Sequence, residues 1–167
     1  MSTATMFKQF PTKADLFEAI VLRFWAADPG ADIAPPERGD PRVALRTLGS
    51  RYAELLHRPS MAGLHRMVIA EAPRFPELGR MQFDLGKEPF FELVREYIEA
   101  EATGGRLEVP DGVRATTEFL GMISNFVLWP HLLLQEWSPT DRAIVETVES
   151  AVETFLARYM TQVGHSE

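Results

Sequence analysis

The sequence predicts an all-α bundle of about seven to eight helices. Three observations carry the helical reading. Apolar residues recur at three- and four-residue spacing from Leu16 to Met160, and prolines and glycines fall between these runs more than within them. The one strand-like alternation, LEVPDG at 107–112, is too short for a sheet. A chain of 167 residues, 46% apolar and 25% charged, has the size and make-up to bury a real core.

Each element has a local cause. Thr12, with Asp15 three residues on, caps a helix over about 13–27 whose face is Leu16, Phe17, Ile20, Val21 and Phe24. The stretch DPGADIAPPERGDP at 28–41 holds four prolines and two glycines and reads as a loop. From Pro41, Leu45, Leu48, Tyr52, Leu55 and Leu56 mark a second helix that ends near Pro59. A third, with Met61, Leu64, Met67 and Val68 inward, runs to Pro73. RFPELGRMQFDLG reads as a short proline-opened segment that closes at Gly86. The helix over about 88–102 shows Phe91, Val94 and Ile98, with Phe90 and Tyr97 beside them, and Gly104-Gly105 stops it.

Two long helices follow. Residues 113–135 carry one apolar row at Phe119, Met122, Phe126, Trp129 and Leu133 and a second at Leu120, Ile123 and Val127. A helix apolar on two sides must be covered on two sides. Trp129-Pro130 bends it, because proline lacks a backbone donor and clashes with the preceding turn. The last helix, about 139–163, has an equally broad apolar face from Ile144 to Met160.

Composition narrows the function. A net charge of −7 argues against a protein that coats nucleic acid, since phosphate binding rests on cation contacts. The bias is local, however: residues 1–14 carry Lys8 and Lys13 and no acid, whereas 136–167 hold six acids against two arginines. Without cysteine there is no disulfide scaffold, thiolate nucleophile or cysteine zinc site. No apolar run approaches the ~20 residues that span a bilayer, and no secretion signal opens the chain. It reads as cytoplasmic, with no membrane partner. No catalytic or metal constellation emerges and no cofactor is implied. His57 and His65 flank Pro59 and make no i,i+4 ligand pair, and Glu92/Glu96 and Glu149/Glu153 read as solvated helix faces. The chain is therefore not expected to be an enzyme.

The opening STATMFKQFPTKADLF resembles the end of the helix-turn-helix of TetR-family transcriptional regulators, whose pattern is V-S-x-G-T-(L/I)-Y-x-(H/Y)-F-x-(S/T)-K-x-x-L. Ser2, Thr5, Met6, Phe7, Phe10, Thr12, Lys13 and Leu16 fall on it in register. Further on, RMVIAEAPRFPELGRMQF and TTEFLGMISNFVLWP resemble the ligand-binding domain of the AefR-like group of that family. The resemblance implies a transcriptional regulator of the repressor kind, with residues 1–27 a remnant of the DNA reader and 41–167 a ligand-binding and dimerisation domain. It implies that Thr3, Thr5 and Lys8 would face base edges or phosphates of an operator, on a recognition helix that includes Phe7. Ser2 would cap that helix, and Lys13 would reach a phosphate.

In the resembled family two further helices precede this pattern, and here Met1 stands at the usual valine. A start read at an internal valine codon, or a genuine truncation, would give that N-terminus. Residues 3–9 alone make fewer than two turns, below the ~12–15 residues an isolated helix needs. The chain as given is thus expected to lack competent operator binding. The alternative is a stand-alone ligand-binding or sequestering dimer that has lost its reader.

The resemblance further implies a pocket for a small apolar effector among the middle helices. Met61, Leu64, Met67, Val68, Phe91, Val94, Met122, Phe126 and Trp129 would line it, although each fits packed core as well. His65 and His131 are the polar groups that would orient a ligand. Glu71 would pair with Arg74 or Arg95, or cap a loop. In a homodimer across the last two helices, Leu120, Val127, Val148, Val152, Phe155 and Tyr159 would contribute.

Overall fold

A computed structural model describes residues 10–26, 39–134 and 136–161. Among them the helices are α1 (Lys13–Ala26), α2 (Pro41–His57), α3 (Pro59–Glu71), α4 (Pro76–Gln82), a π-helical turn (Phe83–Lys87), α5 (Glu88–Thr103), α6 (Gly112–Val127), α7 (Trp129–Leu133) and α8 (Asp141–Tyr159). The chain is all-α. The nearest thing to a strand among the described residues is an isolated antiparallel bridge between Leu107 and Met160.

Helix starts follow capping chemistry. Thr12 Oγ1 accepts from the Asp15 N–H (3.1 Å) while Asp15 Oδ2 accepts from the Thr12 N–H (2.9 Å), a reciprocal capping box. Asp40, Asp111 and Thr140 cap α2, α6 and α8 in the same way, each accepting from a backbone N–H two or three residues on. Helix ends follow proline and glycine. Arg58, forced out of the helical region before Pro59, closes α2 at ψ 132°. Gly105 closes α5 at φ 74°, and the N–H groups of Gly105 and Arg106 return to the Ala102 and Glu101 carbonyls.

Two expectations about boundaries change. Gly86 does not end its segment, since α4 passes through the π-helical turn directly into α5. Gly86 is buried because Trp25 lies on it: a Cβ there would stand 2.4 Å from Trp25 Cζ2. The helix expected over 113–135 is two pieces. α6 stops at Val127 and α7 restarts with Pro130 in its first turn, where a missing N–H does no harm.

The described helices fall into two compact units. The first comprises Met1–Ile33 and Gly63–Phe90, the second Ala34–Ala62 and Phe91–Glu167. In the first, Val21, Leu64 and Val68 are buried, with Phe24, Trp25, Met67 and Met81 packed against them. Trp25 Nε1 donates to the buried Gln82 Oε1 at 3.0 Å, which satisfies both groups. Lys13 Nζ lies 2.8 Å from Glu71 Oε1 and 4.9 Å above the Phe17 ring, and that ring meets Phe75 edge-on.

In the second unit α2, α6 and α8 pack on one another. Leu45, Leu48, Phe119, Ile123, Val152 and Phe155 form the centre, with Phe119 and Phe155 edge-to-face at 5.5 Å. Gly49 sits at the crossing. A Cβ there would lie 2.9 Å from Val148 Cγ1, 3.1 Å from Ile123 Cδ1 and 3.3 Å from Phe119 Cζ. Arg46 Nη2 ties α2 to α8 through Glu149 Oε2 at 3.0 Å. Glu149 on the surface of α8 is thus ion-paired, as Glu92 is with Arg95, while Glu96 and Glu153 are exposed.

Beyond α5, Arg106 grips the fully buried Glu101 with two guanidinium nitrogens, Nη2 to Oε1 at 2.8 Å. Glu108 N–H then donates to the Tyr159 carbonyl (2.7 Å), and Thr161 N–H to the Arg106 carbonyl (3.2 Å). The α5–α6 connection is thus sewn to the end of α8.

Two outcomes follow. Gly49→Leu overpacks the crossing and lowers stability by roughly 1–3 kcal/mol, read as a fall in chemical-denaturation midpoint with helicity of the folded state retained. The second concerns alkali. Burial, and then the Glu101 charge, push the Tyr97 hydroxyl up to about 12 from 10.0, and burial also raises Tyr52 and Tyr159. Phenols that ionise at a lower pH in the unfolded chain than in the folded one stabilise the fold fully below pH 10. That contribution is lost as pH rises from about 10 to 12. The melting temperature should fall over this window, and Tyr97→Phe should flatten the fall.

Candidate functional site

The residues expected to touch DNA mostly lie outside the described residues: Ser2, Thr3, Thr5, Phe7 and Lys8. Lys13 is described, and Glu71 holds its ammonium. Glu71 was expected to pair with Arg74 or Arg95, or to cap a loop. It meets Lys13 instead, and Arg95 lies with Glu92 and Glu99.

The ten residues expected to line one apolar pocket divide between the units. Leu64, Met67 and Val68 belong to the core cluster of the first, and His65 in the same unit is partly exposed. In the second, Met61 and Val94 are fully buried, while Phe91, Met122 and Phe126 are partly exposed. Trp129 is 57% exposed, because the break before α7 turns it outward, so it is corrected from a lining to a surface residue.

Open grooves lie elsewhere. One of about 590 Å³ in the first unit has Leu22, Met81 and Leu85 beside Glu77, Arg80 and Asp84. Another of about 470 Å³ in the second has Arg114, Arg158 and Tyr159 beside Glu108. None of the ten borders either groove.

The six residues assigned to a dimer interface need a further correction. Leu120, Val127, Val148, Val152, Phe155 and Tyr159 are at most 5% exposed and form the chain's own core. Periodicity marked a face that must be covered, and α2, α6 and α8 cover one another. The outward stripe of α6 is Val113, Thr117, Gly121 and Asn125, and α8 exposes Val145 (56%). Among the described residues, nothing beyond the helix's own nearby backbone and Gly121's chain neighbours comes within 4 Å of where a Gly121 Cβ would be.

Two ring pairs in the second unit combine aromatic surface with polar atoms. The His57 ring, at the end of α2, lies 6.3 Å from that of His131 in α7. Trp137, after α7, meets Phe126 of α6 edge-on at 5.8 Å. Tyr52, one turn and a half before His57, bonds the Ser124 hydroxyl of α6, and burial raises its pKa. Nδ1 of His57 and Nε1 of Trp137 are buried with no hydrogen-bond partner among the described residues. The pairing of His57 with His131 joins residues far apart in the chain and leaves no local pattern.

Among the described residues no group of three or more His, Asp or Glu could hold a metal ion, and no helix is long and apolar enough to cross a membrane.

The fold recurs in solved structures. A protein of Mesorhizobium loti described as a TetR-family transcriptional regulator superposes with a TM-score of 0.81 at 22% identity, over 95% of this chain and 81% of that one. The flavonoid-responsive regulator FrrA gives 0.75 at 23%, over 98% and 83%. A TetR-family regulator of Pseudomonas syringae pv. tomato gives 0.75 at 25%, over 96% and 80%. No curated protein sequence matches the chain significantly. The family model described as the C-terminal domain of the AefR-like transcriptional repressor matches residues 43–161. With most of its length covered by that match, the chain belongs to the TetR family of transcriptional regulators through an AefR-like C-terminal domain.

Proposed function

We propose that the chain is a cytoplasmic transcriptional repressor whose affinity for operator DNA is set by a small, largely apolar effector held in its helical domain, and that it acts as a homodimer. The observation that carries this reading is the family match across 43–161, which runs from the first turn of α2 past the end of α8 and whose description is that of a repressor domain. The partly exposed aromatic and sulfur side chains Phe91, Met122 and Phe126 support an effector site, since such groups adapt to irregular apolar molecules. That one protein of the same fold responds to flavonoids points toward flat aromatic effectors.

The dimer would use the outward stripes of α6 and α8, because their inward faces are already covered. Small residues at Thr117, Gly121 and Asn125 let two helices approach closely about a two-fold axis, the commonest oligomer geometry.

A thermal-denaturation screen of aromatic and aliphatic metabolites tests the effector. A compound at 100 times its Kd stabilises by about 2.7 kcal/mol, a rise of roughly 5–10 °C for a chain of this size. A diverse panel in which nothing raises the melting temperature would sink the effector reading. For the dimer, Gly121→Arg places a charge in open space on the outer stripe. Sedimentation should show the wild type as a dimer and the variant as a monomer of unchanged helicity, whereas a dimeric variant would put the interface elsewhere.

A further inference from the structure

The groove of the first unit is walled by two features that hold each other in place. Between α4 and α5 the chain makes a π-helical turn, in which the Glu88 N–H donates to the Phe83 carbonyl five residues back. Such turns are rare and are frequent at functional sites. This one is fixed to α1 by Trp25, whose indole lies over Gly86 and donates to Gln82 Oε1 at 3.0 Å. Leu22 stands three residues before Trp25 on α1, and Leu85 directly before Gly86 in the turn. Together with Met81 they border a preformed cleft of about 590 Å³. Leu22 is 45% and Leu85 38% exposed, so the cleft leaves leucine surface in water.

The charges around the cleft select what suits it. Glu77 and Asp84 line it together with Arg80, and Glu18 lies one turn before Leu22 on the same face of α1. Three carboxylates thus stand against one guanidinium, and all four side chains are exposed. None of the four is held in an ion pair among the described residues. A nucleic acid, an anionic lipid surface or a second copy of this chain, itself at −7, would bring further negative charge to that rim.

We propose that this cleft is a docking site for an amphipathic helix of a partner protein, apolar on one face and flanked there by lysine or arginine. The proposal stands apart from the effector and dimer readings, because it concerns the first unit alone. A helix laid in an apolar groove is read through anchors at i, i+3, i+4 and i+7, and Leu22, Met81 and Leu85 supply the contact for them. Glu18, Glu77 and Asp84 supply attraction and orientation, which act on encounter and selectivity more than on raw affinity. Because Trp25 already holds α1 to the turn, docking costs little in ordering the walls.

The test uses the full chain and three labelled peptides of about 18 residues, or about five helical turns. The first repeats leucine at i, i+3, i+4 and i+7 with lysine flanking the stripe. The second keeps the stripe and replaces lysine by glutamate. The third scrambles the first, which keeps its charge and loses its stripe. Fluorescence anisotropy should show the first binding about tenfold tighter than either control, and less tightly as salt rises. The resonances of Leu22, Met81 and Leu85 should shift with it. Leu85→Asp should lower its affinity about tenfold. Glu77→Lys combined with Asp84→Lys should reverse the order of the lysine and glutamate peptides, a change of sign that loss of folding could not produce.

Equal binding of the first and scrambled peptides would reduce the effect to diffuse charge attraction and overturn the proposal. So would equal binding of the lysine and glutamate peptides, no binding of any, or shifts confined to other helices. If Leu85→Asp turns a sedimenting dimer into a monomer, the cleft is an interface between copies and the proposal fails. A neutral apolar compound that moves these resonances where no peptide does would likewise assign the cleft to a small molecule instead.

Discussion

At the crossing of α2 with α6 and α8 the backbone of Gly49 approaches Val148, Ile123 and Phe119 so closely that a methyl group would collide with a valine carbon at 2.9 Å. Glycine within a helix costs roughly 0.5–1 kcal/mol relative to alanine. Here that cost is offset by interdigitation of three apolar faces, with Phe119 and Phe155 edge-to-face between them. Much of the second unit depends on this approach. With α2 against both later helices, the broad apolar faces of α6 and α8 are covered from within the chain. What they present outward is a stripe of small and polar residues with Val113 and Val145.

The closing of the second unit relies on polar chemistry at the far ends of those helices. Glu101 is fully buried and would be costly alone, but Arg106 meets it with two nitrogens at the turn that ends α5. The same turn brings Leu107 to Met160 and Glu108 to Tyr159, so the chain after α5 is held where α8 finishes. Pro130 has the complementary effect at the other end. By ending α6 early it begins a short α7, which sets His131 beside His57, and the chain beyond α7 sets Trp137 beside Phe126. The two ring pairs of the second unit are thus a consequence of a helix that could not continue.

Much of the architecture was legible because its causes are local. Capping by Thr12, Asp40, Asp111 and Thr140 involves backbone groups two or three residues away, and Pro59 and Gly105 act on their immediate neighbours. The helix limits therefore lay within a residue or two of expectation where a cap or breaker stood. They missed where the cause was distant. Gly86 reads as a stop until Trp25 is seen to occupy the space above it. Glu71 has arginines close by in sequence and bonds Lys13 from another helix.

By itself the sequence determined an all-α chain, the starts and ends of most helices, and membership of the TetR family, since these follow from periodicity, capping and motif spacing. Only the tertiary structure decided what each apolar face is covered by. Leu120, Val148 and Phe155 repeat with the period of a buried stripe, and that period is the same whether the cover is a helix of the same chain or a second protomer. It also decided which polar atoms are left without partners. The burial of His57 Nδ1 and Trp137 Nε1 depends on elements that converge from opposite ends of the unit, and no spacing along the chain records that convergence.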